Sequence, residues 1–198
     1  MSDMLGLGVR EFAAATAAKT PIPGGGSVAG VVGALAAALG EMAVNFTLGK
    51  KDFQAHEQAN AVLAARLGRA RGMFEDLTAD DMAAYGFYQE SAKADDARKQ
   101  TALAAAINVP REMAALALAV LGDLAELSGH CNRWLLSDCA AGAALAEAVV
   151  RLCDYNVRVN NPALADRQAA GDLQAASDRD CRRAEQLRRQ VEQAAFGK

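Results

Sequence analysis

Five short stretches of this sequence carry side chains and spacings that could do chemistry. The most punctuated is Thr20-Pro21-Ile22-Pro23-Gly24-Gly25-Gly26-Ser27. Two prolines and three glycines in eight residues cannot form a helix interior. An apolar run starts directly behind them, which makes Ser27 a good N-cap candidate. Such a loop is either a tight joint between two helices or a set of free N–H groups at a helix start that holds an anion. It is not a P-loop, because no Gly-Lys-Ser/Thr follows at the required spacing. Asp80-Asp81 lies in a helical stretch ahead of Tyr85. Neighbouring helix positions point about 100° apart, so at most one of the two enters a given cleft. There it would act as a general base or hold a cationic ligand; the plainer reading is a solvated acidic turn.

Ser137-Asp138 opens another helix, where Asp138 suits the macrodipole. That helix ends in Asn156-Val157-Arg158-Val159-Asn160. The two asparagines are four apart and share a face, as a polar contact or as helix-end caps. Lys50-Lys51 follows Leu48-Gly49. This basic pair either answers a helix dipole or holds an anionic substrate tail. A metal is not expected: His130 and Cys131 with Cys139 and Cys153 fit no usual zinc spacing. No nucleophile elbow surrounds any serine or cysteine.

These residues need a scaffold, and the composition says which. The chain has 198 residues, enough for one domain with a real core, and the reading is a single domain over 1–198. Alanine fills 47 positions and aromatics only 5%. That favours an all-helical protein. An apolar fraction of 52% excludes disorder. Four cysteines are ordinary usage for a reduced, cytoplasmic protein. The net charge of -3 gives no basic face for nucleic acid. Met1-Ser2-Asp3-Met4 shows no secretory n-region or h-region.

The periodicity predicts helices over about Met4–Lys19, Ser27–Leu48, Asp52–Ser91, Asp95–Ile107, Arg111–Leu127, Leu136–Arg158 and Leu164–Ala195. Asp52–Ser91 is read as one long helix or two collinear ones, with Gly68, Gly72 and Gly86 as weak points. Val109-Pro110 is read as a joint and Gly129 as a C-terminal stop. The uncharged run before Glu41 is too short for a bilayer crossing. It is expected to be a central helix buried on all sides. The sum is an all-α, antiparallel bundle of about six or seven helices.

Taken in order, the motifs resemble the formiminotransferase-cyclodeaminase C-terminal domain family. Thr20 to Ser27, then Gly33-Ala34-Leu35 through Ala38-Leu39, then Asn45-Phe46-Thr47-Leu48-Gly49-Lys50-Lys51 carry the most specific part. Asp80-Asp81-Met82-Ala83-Ala84-Tyr85 resembles the family's Asp-Asp-x-x-Ala-Phe segment. Asn108-Val109-Pro110 resembles its x-Val-Pro joint. Ser137-Asp138, then Asn156-Val157 and Asn160, with Asp166 beyond, follow its Ser-Asp … Asn-Val-x-x-Asn pattern. The resemblance spans nearly the whole chain.

It implies an all-α homodimer in the cytoplasm, with its site in a cleft near the interface, no metal and no cofactor beyond a tetrahydrofolate substrate. A cyclohydrolase adds water to the methenyl carbon and opens the ring to formyltetrahydrofolate. A cyclodeaminase closes formiminotetrahydrofolate to the methenyl compound and releases ammonia. The stand-alone length favours the first. The methenyl group is a delocalised cation, so a carboxylate stabilises it and accepts a proton from attacking water. Asp81 and Asp138 are the catalytic candidates. Pro23, Gly24, Gly25, Gly26, Ser27, Lys50, Lys51, Asn132, Asn156 and Asn160 are the substrate-binding candidates. The glycine loop and lysines suit the glutamate tail, and Asn156 and Asn160 suit the pterin.

Two segments depart from the family pattern. Its Leu-Pro-Lys is absent from Ala92-Lys93-Ala94-Asp95-Asp96. Its Gly-Asn-x-Asn falls on Cys131-Asn132-Arg133-Trp134, which keeps only Asn132 and puts the chain's one tryptophan at the second asparagine. These departures leave open a different folate, a ligand-binding dimer without catalysis, or a structural bundle whose glycine loop only packs.

Overall fold

The computed structural model describes residues 6–197. Its elements are α1 (Val9–Ala17), α2 (Gly25–Asn45), α3 (Glu57–Glu90), α4 (Asp96–Ser128), α5 (Leu136–Asn160) and α6 (Arg167–Phe196). Short 3-10 turns at Lys51–His56, Ser91–Lys93, Arg133–Leu135 and Asn161–Ala163 make the joints. There is no strand among the described residues. The expected all-α bundle is therefore present, with six α-helices among the described residues. The expected start at Met4 lies outside the described residues. α1 buries none of its residues.

α2 lies between α3 and α5, with α4 behind it and α6 against α4 and α5. The close approach to α3 depends on the small residues of α2. A Cβ on Gly33 would meet the Phe74 ring at 2.4 Å, and one on Gly30 would meet Thr78 Oγ1 at 2.1 Å. Gly40 faces Leu67, and Gly26 faces Asp81. Rising numbers on α2 meet falling numbers on α3, so the two helices are antiparallel. The core around this seam holds Leu63, Leu67, Phe74, Met113, Leu121 and Leu124, all buried. By length and composition α2 and α4 could each cross a membrane. In the fold both contribute buried residues along their length to the bundle core.

Several expectations need correction. α4 runs unbroken through Pro110 rather than ending before Val109. An interior proline removes one hydrogen bond and costs about 3 kcal/mol. The helix survives because Leu103 and Ile107 before Pro110, and Met113, Ala117 and Val120 after it, are all buried. Burial of several such side chains at about 1.5–3 kcal/mol each outweighs the local cost. Likewise α3 passes Gly68, Gly72 and Gly86 without a break, whereas Lys51–His56 is a 3-10 turn rather than α-helix.

Ser27 does not cap α2. Gly24 is the N-cap and Ser27 sits one turn inside. Nor is α2 buried on all sides. Its outward face keeps Val28, Val31, Leu39 and Met42 half-buried and leaves Leu35 55% exposed. The sequence masks this, because both faces of α2 are apolar. α6 starts at Arg167 rather than near Leu164, since Asp166 caps it by accepting from the Ala169 N–H at 2.9 Å.

Candidate functional site

The candidate residues fall into two groups, one at each end of α2. The first is built on the start of that helix. Pro23 is buried behind a cis Ile22–Pro23 peptide, and Gly24, Gly25 and Gly26 bring the backbone into the first turn. The earliest N–H groups of a helix have no intrahelical partner. Here a carboxylate from α3 meets them. Ser27 Oγ donates to Asp81 Oδ2 at 3.0 Å, and the Ser27 backbone N–H bonds to the same carboxylate. Gly26 leaves room for that carboxylate, since a Cβ there would lie 2.1 Å from Asp81 Oδ1. Burial pushes the Asp81 carboxyl above the usual aspartate range, and the two Ser27 donors oppose it. Asp81 is thus a half-buried carboxyl held in one orientation. Asp80 points away into solvent.

α5 reaches this end with its last turns. Gly142 packs on Ala36 and Leu39, while further along α5 Cys153 lies near enough to feel the charge of Asp81, which faces Gly26, so α5 runs antiparallel to α2. Cys153 follows; burial, with the Asp81 charge adding, pushes its thiol up to about 12. Asn156 and Asn160 lie one and two turns further on. Each amide donates back along the helix, Asn156 to the Leu152 carbonyl at 3.1 Å and Asn160 to the Asn156 carbonyl at 3.0 Å. Their carbonyl oxygens are the atoms available to a ligand. At the same end a cavity of about 460 Å³ opens between α3 and α4 beside Ala163, with Tyr88, Lys99 and Gln100 in its wall. The sequence reading contained none of these.

The second group gathers at the other end of α2. Its 21 residues, at 1.5 Å each, place it about 30 Å away. Lys50 and Lys51 are exposed here. Asn132 is buried and shapes the turn: its N–H donates to Thr47 Oγ1 at 3.0 Å and its Oδ1 accepts from the Trp134 N–H at 3.2 Å. Thr47 is anchored on α2 by its own bond to the Ala43 carbonyl at 2.8 Å. Lys50, Asp52 and Phe53 therefore share one groove of about 460 Å³ with Cys131 to Trp134. The Arg133 guanidinium lies 4.8 Å from the centre of the Trp134 ring. Asp138 stands in the first turn of α5 at this end, not beside Asp81.

Further features here escaped the sequence reading. His56 and His130 stack at 4.6 Å. Asn60 is fully buried with neither amide atom paired. Cys131 and Cys139 lie 4.0 Å apart as free thiols. The hydrogen bond between the two sulfurs holds the Cys131 thiol below its usual range and, with burial, pushes Cys139 up. No group of three or more metal-ligating side chains occurs among the described residues.

The fold and site define an all-α protein whose central helix meets a half-buried carboxyl at its first turn and a cationic, aromatic groove at its last. The chain belongs to the formiminotransferase-cyclodeaminase family, whose model matches residues 8–179. It is 34% identical over 178 residues to the methenyltetrahydrofolate cyclohydrolase of Methylorubrum extorquens, covering 82% of this chain and 83% of that one. It is 28% identical over 170 residues to the formimidoyltransferase-cyclodeaminase of Gallus gallus, of which it covers 31%. The crystal structure of formiminotetrahydrofolate cyclodeaminase from Thermotoga maritima superposes with a TM-score of 0.93 at 29% identity, covering 98% of both chains.

Proposed function

We propose that this chain is a methenyltetrahydrofolate cyclohydrolase. The observation that carries this reading is the 34% identity with a cyclohydrolase over most of both chains. The Asp81 centre supplies matching chemistry. The methenyl carbon bridges two nitrogens and carries a delocalised positive charge. Water attacks that carbon, and the ionised Asp81 carboxylate takes the proton while opposing the charge. One carbon–nitrogen bond then breaks: its electron pair returns to the nitrogen, which takes up the proton that the carbinol hydroxyl gives up, and the carbon stays on the other nitrogen as a formyl group. Asp81 passes its proton to solvent, which balances the loss of the cation. Ser27 keeps the carboxylate aimed, and burial brings its pKa upward, towards the range useful for a base. Asn156 and Asn160 offer carbonyl oxygens to the pterin. No cofactor beyond the folate is needed.

A second reading is cyclodeamination, favoured by the 0.93 TM-score to a cyclodeaminase. There the same carboxylate would stabilise the forming methenyl cation while ammonia leaves. Rates with methenyltetrahydrofolate and with formiminotetrahydrofolate, each above the uncatalysed rate, separate the two. Turnover of the first alone supports the hydrolase. Turnover of the second alone replaces it.

The protein acts as a homodimer in this reading. α2 supports this, because Val28, Val31, Leu35, Leu39 and Met42 form an apolar stripe that this subunit does not cover. The free thiols suit a reducing cytoplasm.

A further inference from the structure

Two of the four cysteines lie together, and the proposed folate chemistry uses neither. Cys131 is in the joint between α4 and α5, and Cys139 is in the first turn of α5. Their sulfurs are 4.0 Å apart and both thiols are free. A disulfide needs the sulfurs at about 2.05 Å, so a small shift of one side chain closes the pair. That shift falls to Cys131, because Cys139 is fully buried in the packed core.

The two thiols have different access to solutes. Cys131 keeps 7% of its surface and lines the groove shared with Lys50, Phe53 and Arg133. Cys139 keeps none. The hydrogen bond between the sulfurs holds Cys131 below the usual thiol range, so Cys131 is the better nucleophile of the two. The other cysteines are poorer targets. Cys153 is buried, with its thiol pushed up to about 12, and burial pushes Cys181 up as well.

We propose that Cys131 and Cys139 form an oxidation site that a small hydroperoxide converts to a disulfide, with Cys131 attacked first and Cys139 resolving. The Cys131 thiolate attacks one peroxide oxygen; a sulfur–oxygen bond forms, the oxygen–oxygen bond breaks, and hydroxide leaves. The Cys139 sulfur then attacks the Cys131 sulfenic acid. A sulfur–sulfur bond forms, the sulfur–oxygen bond breaks, and the departing hydroxide takes the Cys139 proton as water. The two sulfurs lose two electrons, and the peroxide that gains them ends as water and hydroxide, or as water and the alkoxide of an organic peroxide. Cys131 is joined to Asn132, which holds the turn on Thr47 and accepts from the Trp134 N–H. Drawing Cys131 toward α5 therefore moves the groove wall that carries Arg133 and Trp134. This site is at the far end of α2 from Asp81 and does not depend on the folate reading.

The test is a peptide map of wild-type protein treated with equimolar hydrogen peroxide, then with N-ethylmaleimide in denaturant. Trypsin cuts after Arg133 and leaves the two cysteines on separate peptides, 112–133 and 134–151. We expect these two joined, at a mass about 2 Da below their sum for the two hydrogens lost, and separated by dithiothreitol. Cys153 and Cys181 should be recovered alkylated. Cys131 and Cys139 recovered alkylated after the peroxide is consumed, or Cys153 and Cys181 oxidised as fast, overturns the site. In Cys139→Ser the Cys131 sulfenic acid has no partner, so dimedone should label it at least about tenfold more than in wild type; equal labelling overturns the resolving role. Trp134 is the chain's one tryptophan, and its emission should change on oxidation and return on reduction. Unchanged emission in a protein shown to carry the disulfide overturns the coupling to the groove. The wild-type map needs no variant, so it decides the site even where Cys139→Ser does not fold.

Discussion

Ser27 Oγ, in the first turn of α2, lies 3.0 Å from Asp81 Oδ2 on α3, 54 residues along the chain. This contact joins the glycine loop to the acidic segment, and it orients the carboxyl that the proposed chemistry uses. Burial raises that carboxyl above the ordinary aspartate value of about 3.9. A base works only when ionised. We predict that kcat/KM for the methenyl substrate, after subtraction of the uncatalysed rate, rises with pH through a pKa above that ordinary value. A pH profile flat across the acidic range would exclude Asp81 as the base.

The same shift has a consequence for stability. A native pKa above the unfolded one means that the folded chain binds this proton more tightly. The contribution is therefore complete below about 3.9 and is lost as pH rises through the raised native value. Asp81→Asn cannot ionise and lacks this loss. The melting temperature of wild type relative to Asp81→Asn should fall as pH rises across that window. A difference that stays constant, or moves the other way, would contradict the shift.

Gly26→Ala tests the close approach. The new methyl would lie 2.1 Å from Asp81 Oδ1, and the short aspartate side chain cannot yield without leaving Ser27. We expect a loss of about 1–3 kcal/mol, as in other overpacked sites, and a fall in kcat larger than that of a variant equally destabilised elsewhere. Gly72→Ala is the control, since a Cβ there meets nothing within 4 Å. Thermal unfolding and steady-state kinetics on the pair decide the matter; equal kinetics in both variants would place Gly26 outside the site.

How much of this was legible in the sequence depends on whether the signal was local. Gly24 to Ser27 and Asp80-Asp81 stood out by residue type, and their order along the chain resembled one family. The joining of Ser27 to Asp81 did not stand out, because it forms only when α2 and α3 lie antiparallel. Pro110 misled for a related reason: its local cost is fixed, while the burial that outweighs it is collective. The groove was hidden because Lys50–Phe53 and Cys131–Trp134 are some 80 residues apart and meet through the Thr47–Asn132 hydrogen bond. The two faces of α2 are both apolar, yet they differ: glycines at 26, 30, 33 and 40 mark the packed face, while Val28, Val31, Leu35, Leu39 and Met42 mark the open one.

That open face leads to a prediction about assembly. Leu35 is 55% exposed in the single subunit, so Leu35→Glu should change subunit stability by no more than about 0.5 kcal/mol. At the centre of a two-fold interface it places two like charges together, and dimer affinity should fall at least about tenfold. Sedimentation of both proteins measures this. A monomeric wild type, or a variant that dimerises as tightly as wild type, would remove α2 from the interface.

The most direct test of the central claim is the loss of methenyltetrahydrofolate absorbance with purified protein, beside Asp81→Asn under the same conditions. With Asp81 as the base, enzyme-dependent loss above the spontaneous rate is expected, reduced about 100- to 10,000-fold in the variant, the range for a lost general base. Wild-type protein that leaves the spontaneous rate unchanged, or an Asp81→Asn variant as fast as wild type, would contradict it.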